Sequence, residues 1–257
     1  MNIKKQDEHN QLIMEQFSKQ AVPFSKKVPA HSNEAAFKLI IETIGIHKQD
    51  TVLDVACGPG MLSCAVAKFA GHVTGIDLVP AMIEQARLLQ KEKRLLNLDW
   101  EMGDVSRLPF ADRTFSVALT RFSFHHFLDP LIVLKEMVRV AKARGKIAVV
   151  DVYTTSPAHS HLHNFLEKLR DDSHVKAFSL SELKVLTQDA GLVNLKIRFY
   201  RLEIELERQL KASFFKPGDE DKFRQLVYND KDGLVSVHRN KKVYLVYPIA
   251  IIAGEKV

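Results

Sequence analysis

Residues 51–60 constrain this chain more than any other segment. Thr51-Val-Leu-Asp-Val-Ala56 is a β-branched run with few polar residues, as expected of a strand buried on both faces of a parallel sheet. It ends in Cys57-Gly-Pro-Gly60, and an apolar helical pattern over 61–70 follows directly. Gly58 and Gly60 let the backbone approach a ligand, so the unit reads as strand, tight turn and helix around a crevice at the strand's carboxyl end. Asp54 does not belong in such a strand, because a buried carboxylate is costly unless something pairs with it. A second strand, Val73-Thr-Gly-Ile-Asp77, ends about 20 residues after the turn in a carboxylate placed to accept hydrogen bonds from ribose hydroxyls.

These residues discriminate between ligands. A dinucleotide site would want glycine where Ser63 stands, and Asp54 would repel its pyrophosphate. A phosphate-binding P-loop is excluded because no Gly-Lys-Ser/Thr follows the glycines. An amino-acid moiety carrying an ammonium group supplies the partner that Asp54 needs.

The rest of the chain alternates. Strands are predicted near 98–103, 115–120 and 146–152, with helices near 80–93 and 130–142, the rhythm of a doubly wound α/β sheet. Before it, Leu12, Ile13 and Phe17 share a helical face that Pro23 should stop, and Ser32 is placed to cap a second helix with Glu34 in its first turn. After it, Ser179-Leu-Ser-Glu182 is a capping box opening a helix that ends at Gly191, and a strand follows over 192–200. The last strand, 242–253, contains Pro248, which argues for a sheet edge or a bulge. Residues 154–177, polar and His-rich, and 203–237, without a clean period, are expected as insertions into a single domain spanning 1–257.

Several functions are disfavoured. The 257 residues contain no apolar run near the ~18 or more a membrane span needs, and the N-terminus lacks the apolar core of a secretory signal, so a cytoplasmic protein is expected. Only Cys57 and Cys64 are present, too few for a disulfide framework. The net charge of +6 is dispersed rather than clustered, which gives nucleic acid no footprint. His159, His161 and His163 would align as metal ligands only on a strand, and 164–169 reads as helix, so no metal is expected.

Taken together, the motifs resemble those of the class I S-adenosylmethionine (SAM)-dependent methyltransferases, most closely the small-molecule branch that includes ubiquinone- and menaquinone-biosynthesis enzymes. Asp54-Val-Ala-Cys-Gly-Pro-Gly60 resembles the family's first motif, and Asp77 its ribose-binding acid. Met102-Gly-Asp-Val105 resembles the third-strand motif, whose Asp, here Asp104, bonds the adenine amine. Leu108-Pro-Phe-Ala-Asp-Arg-Thr-Phe115, Arg121-Phe-Ser-Phe-His-His-Phe127, Asp129-Pro130 and Glu136-Met-Val-Arg-Val140 resemble the entry to strand four, its exit and the following helix. One departure is Ala143-Arg-Gly-Lys146, where the family has a Gly-Gly turn, and Arg144 should be strained there.

The resemblance implies a Rossmann-like, seven-stranded, mostly parallel sheet with its last strand antiparallel, under a small cap built from a 1–30 lid bearing Phe17 and Phe24 and from the two insertions. It implies SAM as cofactor, contacted by Asp54, Ala56, Cys57, Gly58, Pro59, Gly60, Asp77, Leu78, Met82, Gly103, Asp104, Val105 and Arg121, with Cys57 in a packing and backbone role. It implies transfer of the methyl group to a small organic acceptor, quinol- or phenol-like. His126 is the candidate base, and His125, Arg170 and His174 are candidate acceptor contacts. Exocyclic-amine methylation of nucleic acid would call for Asn/Asp-Pro-Pro-aromatic where Arg121-Phe-Ser-Phe124 stands. An RNA or protein acceptor, or a SAM-binding regulatory protein without transferase activity, stays open at this point.

Overall fold

The computed structural model describes residues 3–27 and 33–257. Strand β1 (Thr51–Val55) lies mid-sheet because it can be buried on both sides: Val52 enters one core, while Leu53 and Val55 enter the other. The chain lays β2 (His72–Asp77) and β3 (Leu98–Met102) outward on one side, then returns to place β4 (Phe115–Arg121) on the other side of β1, followed by β5 (Ala141–Thr154). All these pairings are parallel. The reversal between β1 and β4 opens a crevice at their carboxyl ends, where α/β folds bind ligands.

Between the strands run α3 (Met61–Val66), α4 (Pro80–Glu92) and α5 (Pro130–Val140). Pro80 and Pro130 stand in first turns, where no amide donor is missed. α3 is shorter than the 61–70 expected, and α5 gives way at Ala141 to the strand. Arg144 takes φ of +59°, so the turn into β5 does carry a left-handed, non-glycine residue.

Seven strands follow the order β3-β2-β1-β4-β5-β9-β7, with β7 spanning Leu192–Glu205 and β9 Lys242–Lys256. β9 runs antiparallel to both neighbours, as expected of the last strand. Two short strands lie beside this path, β6 (Phe178–Ser179) on β5 and β8 (Ser236–Arg239) on β9. Pro248 is therefore not in an edge strand. It falls where β9 has already left β8, whose pairing ends at Leu245, and has not yet met β5, whose pairing begins at Ile249. That local gap accommodates a residue with no amide to donate.

The expected insertions are helical. Residues 154–177 hold α6 (Pro157–Arg170), and 203–237 hold the end of β7, α8 (Leu206–Ala212), α9 (Asp219–Tyr228) and the start of β8. α6 packs on α9, and the capping box at Ser179 opens α7 (Leu180–Asp189) as predicted. The first helix, α1 (Ile3–Lys27), packs on α4 and α8 and continues past Pro23 rather than stopping there. α2 (Glu34–Ile44) is capped by Asn33, whose side chain accepts from the Ala35 and Ala36 amides at 3.0 and 3.2 Å; the expected cap, Ser32, lies outside the described residues, as does the Phe24 side chain. Among the described residues no helix is long and apolar enough to cross a membrane.

Trp100 of β3 supports the crevice from below. Its indole occupies the space over Gly75, where an added Cβ would lie 2.5 Å from Cζ3. Gly75→Ala is therefore expected to cost about 1–3 kcal/mol of stability through overpacking, read as a lower urea midpoint. An unchanged midpoint contradicts this packing.

Candidate active site

The turn after β1 is tied to the end of β2. Asp77 Oδ2 accepts from the Gly58 amide at 2.7 Å and Oδ1 from the Val79 amide at 2.9 Å, while the Cys57 amide donates to Ile76 O at 3.0 Å. Ala56 and Gly58 both sit at φ of +54°, a conformation that disfavours alanine and is held here by the surrounding bonds. Burial pushes the Asp77 carboxyl up, and the backbone amides that it accepts from oppose this. Cys57 is a packed thiol, held well above its usual range by burial and by the Asp77 and Asp54 carboxylates.

Asp54 is 2% exposed, and its Oδ2 accepts from the Ser63 hydroxyl at 2.5 Å. Burial raises its carboxyl to about 7, against the lowering effects of Ser63 and the Arg121 charge. Such a group is poised to ionise fully once a cation arrives. Ser63, which counted in the sequence only against a dinucleotide, is the residue that makes this carboxylate tolerable.

A cleft of about 1160 Å³, including space open to solvent, lies above this floor. Asp54, Ala56, Cys57, Gly58 and Pro59 line it from the first turn, Asp77, Leu78 and Met82 from β2 and α4, Asp104 and Val105 after β3, and Arg121 at the end of β4. Gly60 and Gly103 are not among the lining residues. A Cβ on Gly60 would meet Trp100 at 2.4 Å, so its missing side chain serves packing, and the Gly103 amide donates to Asp77 O at 3.1 Å.

Helix α1 roofs the cleft. Asn10 Nδ2 donates to Asp104 Oδ2 at 2.7 Å, His9 Nε2 donates to His126 O at 2.7 Å, and the Phe17 ring meets His126 edge-on at 5.0 Å.

A second cavity, about 620 Å³ including open space, shares Phe17, Phe122 and His126 with the first. His125, Glu167 and Arg170 supply polar wall, and Val152, Leu202, Ile204 and Ile249 supply apolar wall. His174 is not among its lining residues, its Nε2 being bonded to Asn164 Oδ1 at 2.8 Å. Arg170 forms a buried ion pair with Glu167.

The two adjacent histidines differ. His126 is buried, its Nδ1 lies 3.2 Å from Ser173 O and 3.1 Å from the Ser173 hydroxyl, and burial together with the charge of His125 lowers it to about 4. His125 Nδ1 bonds Asp151 Oδ1 at 2.7 Å; burial pushes this imidazole down, but the Asp151 carboxylate, with those of Glu167 and Asp171, offsets it and the net shift is upward. Asp151 also accepts from the Phe124 and Val152 amides, both at 2.7 Å. Sequence reasoning missed Asp151, although it carries the same signal as Asp54, a carboxylate closing an apolar strand run.

On α6, His159 and His163 share a buried face while His161 is exposed on the other, and among the described residues no group of three could hold a metal ion.

The cleft fits SAM on its own terms: Asp54 offers a buried carboxylate awaiting a cation, and Asp77 and Asp104 present carboxylates at the ends of β2 and β3. Known proteins agree with this reading. Residues 53–149 match the family model of a methyltransferase domain. Over 207 residues the chain is 30% identical to the uncharacterized methyltransferase YcgJ of Bacillus subtilis, covering 78% of this chain and 81% of that one. It is 28% identical over 185 residues to the demethylmenaquinone methyltransferase of Staphylococcus aureus, covering 63% of this chain and 76% of the relative. The crystal structure of YcgJ superposes with a TM-score of 0.78 at 25% identity, covering 86% of this chain and 98% of its own. Strand order, cleft and relatives together make this chain a member of the class I SAM-dependent methyltransferases.

Proposed function

We propose that the protein methylates a small, hydroxylated organic acceptor of quinol or phenol type, held in the second cavity. The observation that carries this is the junction: Phe17, Phe122 and His126 border both cavities, so the two sites adjoin at the same three side chains. SAM, when bound, supplies an electrophilic methyl group on a sulfonium centre. The chain's own residues bind and position: Asp54 takes the ammonium group, Asp77 the ribose hydroxyls and Asp104 the adenine amine. Positioning and exclusion of water supply most of the rate in such a displacement.

The acceptor class rests on the walls. Phe17, Phe122, Leu202 and Ile204 suit a flat apolar ring, while His125 and Arg170 suit its oxygen substituents. A relative named for demethylmenaquinone points the same way. Nucleic acid is disfavoured as acceptor, since the arginine in the cavity wall, Arg170, is already paired with Glu167.

Calorimetric titration tests the cofactor site. S-adenosylhomocysteine is expected to bind wild type at micromolar concentration and to lose on the order of tenfold or more in affinity in Asp77→Ala; binding of NADH alone overturns the reading. The pH dependence follows from Asp54, whose ionised form an ammonium group favours. Affinity should therefore hold above pH 7 and fall as pH drops through about 7, by up to about tenfold per unit. Asp54→Asn should bind more weakly and without this dependence.

Because the Asn10 amide already bonds Asp104, α1 and the adenine amine meet on one carboxylate. Deletion of residues 1–28 is expected to weaken cofactor binding and turnover together. Unchanged values exclude a lid role for α1.

A further inference from the structure

We infer that His125, oriented by Asp151, is the catalytic base, its Nε2 taking the proton from an ionisable hydroxyl of the acceptor. This rests on the methyl-transfer reading above and refines it to acceptors that must lose a proton to react, phenols and enols rather than amines.

The geometry carries the assignment. His125 lies on a 3-10 turn, Phe124–His126, at the carboxyl end of β4. That turn is fixed from two sides: Asp151 of β5 accepts the Phe124 amide, and the His125 carbonyl accepts the Val175 and Lys176 amides at 2.9 and 3.1 Å. The Nδ1 contact with Asp151 sets the tautomer. A carboxylate can only accept, so Nδ1 carries the proton and Nε2 keeps a lone pair on a side chain that lines the second cavity.

The groups facing His125 favour its protonation on balance. Asp151 lies against it, and the Glu167 and Asp171 carboxylates of the α6 segment raise its proton affinity further. Against them stand the rings of His126 and His174, with centroids 4.3 and 5.6 Å away. Among the described residues no carboxylate bonds His126, whose Nδ1 meets the Ser173 carbonyl and hydroxyl, which leaves it the weaker base.

The step balances within the site. The acceptor O–H bond breaks toward His125 Nε2 as the oxygen forms its bond to the methyl carbon. The old carbon–sulfur bond leaves its electron pair on sulfur. The imidazolium is held against Asp151, and its proton then passes to solvent. An aromatic amine, neutral at working pH, attacks through its free lone pair and sheds a proton only after the carbon–nitrogen bond has formed. A phenol, at about 10 in water, sits close enough to an imidazole for proton transfer during the displacement.

The test uses the full-length protein with SAM, catechol and 1,4-naphthoquinol as hydroxyl probes, and aniline, which is neutral at working pH, as the amine probe. We expect methylation of a hydroxyl probe, a kcat lower by on the order of a hundredfold or more in His125→Gln, and unchanged affinity for S-adenosylhomocysteine. The wild-type rate should rise with pH through the His125 titration, and the variant's should not. Asp151→Asn serves as a positioning variant, although losing a carboxylate that accepts backbone amides could unfold the turn. A second readout is therefore taken on the wild-type protein: NMR of the imidazole nitrogens should find neutral His125 protonated at Nδ1. Loss of activity in His126→Gln but not His125→Gln, methylation of aniline alone, or His125 protonated at Nε2 would each overturn the inference while leaving methyl transfer intact. Absence of S-adenosylhomocysteine binding would instead overturn the reading on which it rests.

Discussion

Asp77 is the joint on which the site is built. Its two carboxylate oxygens accept amides from opposite sides, Gly58 of the loop after β1 and Val79 at the entry to α4. Together with the Cys57 amide, which donates to Ile76 O, and the Gly60 amide, which donates to Cys57 O, these bonds hold Ala56 and Gly58 in left-handed conformations and turn the loop over the sheet's end. The cleft is the space left above that loop, and the indole of Trp100 keeps it from sinking by filling the volume below. A side chain that could serve a ribose therefore first serves the backbone, which explains how a buried carboxylate is tolerated before any ligand arrives.

Asp54, Asp77 and Asp151 repeat one device. Each lies on an otherwise apolar strand, each is nearly inaccessible, and each stands toward the carboxyl side of the sheet where the two cavities open. Their partners set their chemistry. Asp77 is occupied by amides, Asp151 by amides and an imidazole, and Asp54 by Ser63 with the Arg121 charge nearby, so that burial raises Asp54 to about 7. A fold selected for stability alone would put valine or isoleucine at such positions. The cost of these carboxylates is the physical trace of function.

Much of this was legible in the sequence because it depends on local pattern. A strand buried on both sides, its glycine turn and the capping box at Ser179 are short-range signals, and the structure has them where they were expected. Elements that depend on distant partners were not legible. Nothing near Pro248 shows that two neighbouring strands fail to meet beside it, and nothing near Gly60 shows that its missing side chain faces an indole forty residues away. The same holds for His125 and His126. As adjacent residues of one type they are indistinguishable in sequence, and only the fold puts a carboxylate against one and a serine against the other.

Phe17, Phe122 and His126 border both cavities, and methyl transfer would have to take place beside them. A crystal structure with S-adenosylhomocysteine bound tests it most directly. It should place the sulfur at the junction bordered by Phe17, Phe122 and His126, open toward the chamber that holds His125. A sulfur buried against the first turn, or facing solvent with the second cavity closed off behind it, would contradict the account.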